Sequence, residues 1–289
     1  MKKQTGIKNK GGFWFVLPAV LILGGFGIVV AIMNIGYSFF NWSALSKPKF
    51  IGLANYIRFF KDKIALVSLW NTFYYALLYV FPTVVLSVAI ALLLNSKAKF
   101  MTFFRSLFYI PVITSYVIVI VVWQWIFDYD IGLFNQIIVG LGGSKVPWLL
   151  SKKWAMPSLV ILSIWKNCGY STLMVLAGLQ TVDTSLLEAA MIDGASSVKS
   201  FLKITLPQIK PTIVLVIVMV TTWAFQMFVQ PYMMTMGGPD YSTSTITYYM
   251  YQQAFNSYNI GYGACISVVS VVLFLAVTKF EKYVMREKD

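Results

Sequence analysis

Residues 181–207 run TVDTSLLEAAMIDGASSVKSFLKITLP, a polar stretch between two long apolar segments. Ser185 and Glu188 have the spacing of a capping box, which predicts that a short helix begins there. An apolar stripe at helical spacing follows, formed by Leu187, Ala190, Met191 and Gly194. Glycine commonly ends helices, so the helix is expected to stop at Gly194.

The second half of this stretch predicts another short helix, capped by Ser196 or Ser197 and running through Ile204. Pro207 and Pro211 are expected to break the chain before the next apolar segment. A short helix with a small-residue apolar stripe needs a cover. It either packs on the protein's own helix ends or docks into a groove of another protein, and the residues alone leave both alternatives open.

The flanking composition is that of a membrane protein. Hydrophobic residues make up 58% of the 289 residues and charged residues only 11%, against about a quarter in soluble domains. A membrane-spanning helix needs roughly 20 apolar residues. Six segments meet that length: 13–36, 70–94, 106–127, 156–179, 212–236 and 261–280. The sequence therefore predicts an all-α membrane protein, with one transmembrane domain over residues 1–289 and six spans.

The basic residues predict the orientation of these spans. Lys and Arg concentrate on the cytoplasmic side of membrane proteins. One side would hold fourteen: Lys2, Lys3, Lys8, Lys10, Lys97, Lys99, Arg105, Lys199, Lys203, Lys210, Lys279, Lys282, Arg286 and Lys288. The other would hold eight: Lys47, Lys49, Arg58, Lys61, Lys63, Lys145, Lys152 and Lys153. Both termini and the 182–211 loop are therefore expected in the cytoplasm, although the first external loop is unusually basic. The net charge of +13 reflects this bias, and no nucleic-acid partner is expected.

Residue types that most catalytic and metal sites require are missing. The chain has no histidine, and its two cysteines, Cys168 and Cys265, lie inside apolar segments. The predicted spans hold no Asp or Glu, so a paired base and nucleophile is not expected there. The turn Gly142–Lys145 lacks the glycine-rich pattern of a phosphate-binding P-loop. No enzymatic activity, metal or cofactor is therefore predicted for this chain.

The 181–207 stretch resembles the EAA loop of the permease subunits of binding-protein-dependent ABC importers. Glu188-Ala189-Ala190 is followed by Asp193-Gly194 and, after nine further residues, by Ile204 and Leu206-Pro207. In that family the loop forms a coupling helix that seats on the ATP-hydrolysing subunit. The resemblance implies a type I importer-like fold and the following coupling residues: Glu188, Ala189, Ala190, Asp193, Gly194, Leu206 and Pro207.

Further features resemble the maltose-type carbohydrate permeases in particular: Trp165-Lys166, Ala177–Gln180 and Gly237–Pro239. This resemblance implies import of a sugar or oligosaccharide by alternating access. It also implies a second homologous permease subunit, two ATPase subunits that use ATP and Mg, and an extracellular or periplasmic solute-binding protein. The expected location is the bacterial inner (plasma) membrane.

Polar residues within the spans are the candidates for a substrate pathway, because such residues usually face a cavity or a neighbouring helix. Thr222, Gln226 and Gln230 recur at i, i+4 and i+8 in span five, with Trp223 at the edge of this stripe. Span four contributes a second group: Trp165, Lys166, Asn167 and Tyr170. Gln124 is a weaker candidate. The same side chains serve as well to hold helices together, and Lys166 could snorkel to the surface. Most tyrosines and tryptophans are expected at the membrane interface.

Two other functions remain as alternatives. An ABC permease could carry another small solute, such as a glycerol phosphate or a polyamine. An ion-coupled secondary transporter would work alone, but it would require acidic residues in the spans and inverted repeats, and the sequence displays neither clearly.

Overall fold

The computed structural model describes residues 10–43, 45–96 and 99–285. Six of the basic residues used for orientation, namely Lys2, Lys3, Lys8, Lys97, Arg286 and Lys288, lie outside this part of the chain. Contacts divide the chain into two compact units. The first comprises residues 1–61 and 250–269, and the second comprises residues 62–249 and 270–289.

The first unit begins with a long apolar helical segment, made of helix α1 (Lys10–Ile22), a π-helical turn (Leu23–Val29) and helix α2 (Val30–Tyr37). A two-stranded antiparallel ribbon, β1 (Phe40–Asn41) with β2 (Lys49–Phe50), and helix α3 (Ala54–Lys61) follow. The buried Asn55 ties them together, since its amide donates to the carbonyls of Ser38 and Phe40. The chain rejoins this unit in helix α12 (Ile246–Tyr251) and at the start of helix α13 (Ile260–Met285).

The second unit is a helical bundle around helix α4 (Lys63–Leu94) and helix α8 (Lys152–Leu179), which pack along each other. Helix α5 (Met101–Ile113), helix α6 (Tyr116–Ile126) and helix α11 (Leu206–Phe225) surround this pair. Helix α7 (Leu133–Gly140) lies in the connection between α6 and α8. An aromatic cluster joins these elements through ring contacts of Trp123, Phe127, Phe134, Trp148 and Trp165.

Within the described residues, five helical stretches are long and apolar enough to cross a membrane, and the α5–α6 pair would make a sixth. The predicted span 106–127 corresponds to two helices and not to one continuous helix. Thr114 and Ser115 are extended, and the axes of α5 and α6 differ by 96°. Extended dihedrals at two successive residues interrupt the i to i−4 hydrogen bonds, so the helix cannot continue.

The predicted span 212–236 also differs from the structure. Helix α11 ends at Phe225, and a short π-helical segment, Pro231–Thr235, follows after a break. The expected break at Pro207 and Pro211 is wrong, because the helical stretch from Ser197 to Phe225 is continuous. Pro207 lies two residues after a π-helical turn (Phe201–Thr205), and Pro211 lies inside α11.

Candidate functional site

The polar side chains of the second unit meet in one cavity of about 210 Å³ between α4, α6, α8 and the break after α11. Its wall consists of Tyr75, Tyr79, Tyr116, Asn167, Trp223, Gln226, Met227, Phe228, Val229 and Gln230. The residues are hydroxyl, amide, aromatic and apolar in character. The cavity wall therefore has no carboxylate or ammonium group.

Two tyrosines of α4 form one wall. Tyr75 and Tyr79 are one helical turn apart, and their rings stack with centroids 5.3 Å apart and an interplanar angle of 11°. Both side chains are almost completely buried, with exposed fractions of 2% and 0%. This pair therefore packs inside the protein and is not exposed to lipid or water.

Asn167 is the centre of a hydrogen-bond network that lines the cavity. Its Nδ2 donates to the Tyr79 hydroxyl at 2.9 Å and to the Tyr116 hydroxyl at 3.0 Å. Gln230 Nε2 donates to the same Tyr116 hydroxyl at 3.3 Å and to Ser163 Oγ at 3.2 Å. The tyrosine oxygens act as acceptors in these bonds, and each hydroxyl also has one hydrogen that it can donate.

The break after α11 forms the opposite wall. Helix α11 stops at Phe225, and Gln226 follows with an exposed side chain at the cavity. Threonine hydroxyls satisfy two carbonyls that the break leaves without helical partners. Thr247 Oγ1 donates to Phe225 O at 3.0 Å, and Thr245 Oγ1 donates to Met227 O at 2.8 Å. These bonds hold the irregular segment in a defined shape.

Of the eight predicted pathway residues, the structure places Asn167, Trp223, Gln226 and Gln230 at the cavity. The other four lie elsewhere. Thr222 Oγ1 donates to Val218 O in its own helix. Tyr170 contacts the edge of Trp223, with ring centroids 5.5 Å apart, and Trp165 lies against Trp123.

Lys166 is buried and donates to Val112 O, which argues against the alternative that it snorkels to the surface. The expectation of one stripe at i, i+4 and i+8 is also wrong, because Gln226 and Gln230 lie beyond the end of α11. Gln124 donates to Met233 O at 2.9 Å and thereby supports the short π-helical segment.

Sequence reasoning missed Tyr75, Tyr79, Tyr116 and Ser163. Their signal was weak because each is a single polar group in an apolar segment. Only the spacing of Tyr75 and Tyr79, four residues apart, marks a common helix face.

A second candidate surface is the helix α9 (Thr184–Ile192), which corresponds to the predicted coupling helix. Asp183 caps it, not Ser185 as predicted, because the Asp183 carboxylate accepts from Ser185 N at 2.9 Å. Hydrogen bonds from the Ser185 hydroxyl and backbone N–H hold the pKa of Asp183 below its ordinary value. The charged form of this cap is therefore the one that the structure stabilises.

Gly194 ends this helix in the left-handed conformation, with φ +75. Ala195 N donates to Ala190 O at 2.9 Å and Gly194 N donates to Met191 O at 3.1 Å. This pair of bonds is the Schellman motif, which favours glycine at that position. A residue with a side chain would strain the backbone there, by about 1–2 kcal/mol.

The faces of α9 divide into a covered and an open side. Leu187 is half-buried and packs against the protein's own core, and Ala190 is half-buried as well. The open side displays Leu186, Met191 and Ile192, with exposed fractions of 48%, 65% and 87%. Glu188, Ala189 and Asp193 are also exposed, as is Pro207 further along, whereas Leu206 is half-buried. Helix α10 (Ser197–Ser200), capped by Ser196, follows α9 and adds Val198 to the open side.

No group of histidine, cysteine, aspartate or glutamate that could hold a metal ion occurs among residues 10–43, 45–96 and 99–285. The two cysteines are buried and free.

Comparison with known proteins places this architecture among transport components. Residues 67–286 match the family model described as "Binding-protein-dependent transport system inner membrane component". The sulfoquinovosyl glycerol transport system permease protein SmoG of Agrobacterium fabrum is 36% identical over 94% of this chain and 89% of its own length. The trehalose/maltose transport system permease protein MalF of Thermococcus litoralis is 33% identical over 93% and 91%.

A chain in the crystal structure of a bacterial alginate ABC transporter, in complex with an alginate pentasaccharide-bound periplasmic protein, has a similar fold. It superposes with a TM-score of 0.84 at 20% identity, and the match covers 96% of each chain. At this identity the likeness concerns the fold, which is that of the type I importer permeases.

Proposed function

The chain belongs to the family of inner membrane components of binding-protein-dependent transport systems, and from that premise we propose that it is the permease subunit of an ATP-driven importer for an uncharged sugar or oligosaccharide. It is a transport component by family. The observation that carries the sugar assignment is the wall of the polar cavity, where hydroxyl and amide groups stand beside stacked aromatic faces. Sugars offer the complementary chemistry, many hydroxyls around an apolar ring.

The cavity also bears on the charge of the substrate. A phosphate ester is normally held by Arg or Lys side chains, and a polyamine is held by carboxylates. The cavity wall contains none of these side chains. We therefore favour a neutral saccharide over the glycerol phosphate and polyamine alternatives. The name of MalF denotes transport of the neutral sugars trehalose and maltose and supports a neutral saccharide. The name of SmoG denotes a sulfonated sugar, so it supports the saccharide class but not its neutrality.

The volume bears on how much of the substrate is held at once. The cavity of about 210 Å³ lies below the roughly 300–1,000 Å³ of typical ligand pockets. In this conformation it accommodates a sugar unit and not a chain.

The open side of α9 supports the proposed coupling to an ATPase. Exposed Met191 and Ile192 next to the charged Glu188 and Asp193 form a small apolar surface with a polar rim, as protein interfaces have. We assign this surface to the ATPase subunits, which use ATP and Mg. A second homologous permease and an extracellular or periplasmic binding protein complete the importer, and both termini lie in the cytoplasm of the bacterial cell.

Reconstitution tests the proposal. The chain is purified with the ATPase, permease and binding protein with which it copurifies, and ATP-dependent uptake is measured in liposomes for neutral sugars, sugar phosphates and polyamines. Uptake of a neutral sugar alone is expected. Uptake of only a charged solute contradicts the substrate class, and ion-driven uptake by the chain alone contradicts the importer assignment.

Variants of the coupling surface test the second part. Glu188→Lys and Gly194→Asp should abolish uptake while the protein still inserts in the membrane. Lys153→Met, an exposed change at the start of α8, serves as the control. Either coupling variant transporting normally and still binding the ATPase would refute the role of α9.

A further inference from the structure

Lys166 is a buried lysine whose role the polar cavity does not explain. Its side chain is 3% exposed, its ammonium donates to Val112 O at 2.8 Å, and it lies 5.0 Å from the ring centroid of Tyr116. Charged groups within membrane helices are costly unless they are paired, so such a residue usually has a function. Lys166 does not line the cavity, although its neighbour Asn167 does.

The acceptor of this bond explains the position of the charge. Val112 lies in the last turn of α5, just before the extended residues Thr114 and Ser115. Carbonyls in the last turn of a helix have no partners within the helix and carry a partial negative charge. A lysine from another helix therefore supplies both a hydrogen bond and a favourable charge. Lys166 acts as the C-terminal cap of α5, donated by α8.

Tyr116 connects this cap to the cavity. It is the first residue of α6, after the 96° bend, and the Lys166 ammonium lies near its ring. The Tyr116 hydroxyl accepts hydrogen bonds from Asn167 and Gln230 in the cavity wall. The ammonium thus contacts the ring of the same residue whose hydroxyl lines the cavity.

Close packing brings α5 within reach of Lys166. Gly169, one turn further along α8, lies so near α5 that a Cβ there would be 2.0 Å from Phe108 O. Phe108 and Val112 are one turn apart on α5, as Lys166 and Gly169 are on α8. The two helices therefore meet at one tight contact, with Lys166 at the end where α5 breaks.

We propose that Lys166 is a positioning residue of the translocation pathway and not a substrate ligand. It ties both halves of the broken third span to α8, and so sets the Tyr116 hydroxyl in the cavity. This inference rests on the proposed function, because that function makes the cavity part of a sugar pathway. The contacts of Lys166 do not depend on it. It predicts that the positive charge of Lys166 is never offered to the solute.

A mutant cycle in the reconstituted importer tests this role. Uptake of the neutral sugar identified above is compared for wild type, Lys166→Met, Tyr116→Phe and the double variant. If Lys166 acts through Tyr116, the two losses in kcat/KM are not independent, and the double loss falls short of the product of the single losses. Lys166→Arg, which keeps the charge and the donors, should retain most of the uptake. Lys153→Met, at an exposed lysine, should match wild type.

Two results of the cycle would overturn the proposal. If the loss of kcat/KM in the double variant equals the product of the two single losses, Lys166 and Tyr116 act separately. If Lys166→Met raises or lowers the uptake of charged solutes only, the ammonium contacts the solute itself.

A second measurement needs no transported sugar. Spin labels at Phe103→Cys on α5 and Val121→Cys on α6 report the bend, and the native Cys168 and Cys265 are buried. One continuous helix would place these positions about 27 Å apart at 1.5 Å per residue, whereas the bend brings them to about 20 Å.

The wild type and Lys166→Arg should show one narrow distance distribution, and Lys166→Met a broader or longer one. An unchanged distribution in Lys166→Met refutes the positioning role. The proposed function fails separately, when the wild-type complex imports no neutral sugar.

Discussion

Gly169 is the position where a single methyl group should test the packing behind the cavity. It lies in α8 against the backbone of α5. A Cβ there would be 2.0 Å from Phe108 O, 3.0 Å from Phe108 C and 3.2 Å from Val112 Cγ2. The nearest atoms belong to a backbone carbonyl, which cannot turn aside as a side chain would. Gly169→Ala should therefore push α5 away from α8 by about 1 Å, the distance that brings this contact back to the closest seen in proteins.

The expected loss follows from three effects. Overpacking of this kind costs about 1–3 kcal/mol. The bond from Lys166 to Val112 O, at 2.8 Å, would be stretched out of range, and a hydrogen bond to a charged group contributes about 1.5–3 kcal/mol. Alanine is better than glycine within a helix by about 0.5–1 kcal/mol, which acts in the opposite direction. The net expectation is a free energy of unfolding lower by about 2–5 kcal/mol.

The measurement is unfolding of the purified chain by a denaturing detergent, followed by tryptophan fluorescence. Gly36→Ala is the matched control, because Gly36 lies within α2 and a Cβ there meets no atom within 4 Å. That variant should be unchanged or slightly more stable. Equal stability of Gly169→Ala and wild type would refute the close-packing argument, and so would a comparable loss in Gly36→Ala.

Three further outcomes are expected. Asn167→Leu removes the donor that two tyrosine hydroxyls share, at a cost of about 1–3 kcal/mol for each group left unpaired; uptake by the reconstituted complex should fall at least tenfold, and unchanged uptake would remove Asn167 from the pathway. Gly194→Asn should keep ATPase binding better than Gly194→Val in a pull-down, because asparagine tolerates the left-handed conformation that valine resists; equal binding by the two variants would show that the Schellman turn does not matter. The Asp183 cap should lose its contribution to α9 as the pH falls through the lowered pKa of its carboxyl, since a depressed folded pKa gives its full stabilisation above the unfolded value and loses it as the pH falls to the folded one. Amide-exchange protection of α9 should therefore weaken in acid in the wild type and not in Asp183→Asn, and identical pH profiles would contradict the capping role.

The sequence predicted well where the short helix between spans four and five lies. The helix at 184–192 and the glycine that ends it depend on residues no more than four positions apart, so the local sequence is enough to predict them. Its cap was misassigned by two residues, because aspartate and serine compete for the same backbone donors and only the actual backbone path selects one. Pro207 and Pro211 were misread as a break, because proline is tolerated within a membrane helix when neighbouring groups satisfy the carbonyls that it frees.

The membrane segments were predictable as to where they lie, but not as to where they bend. Apolar composition shows that residues 106–127 are buried in lipid or protein, yet it does not distinguish a straight helix from two helices at 96°. The break is stabilised by Lys166, 54 residues away from the carbonyl that it caps. Because this partner is so distant in the chain, the residues around Thr114 and Ser115 give no sign of the break.

The sequence by itself determined which segments lie in the membrane and which lie in water. It also determined the short helix between spans four and five, because hydropathy and capping are properties of adjacent residues. What only the tertiary structure decided was the polar cavity. Asn167 and Tyr79 are 88 residues apart and Gln230 and Tyr116 are 114 apart, yet each pair shares a hydrogen bond. Single polar groups scattered over separate apolar helices carry no periodic signal, and they become a site only when packing aligns those helices.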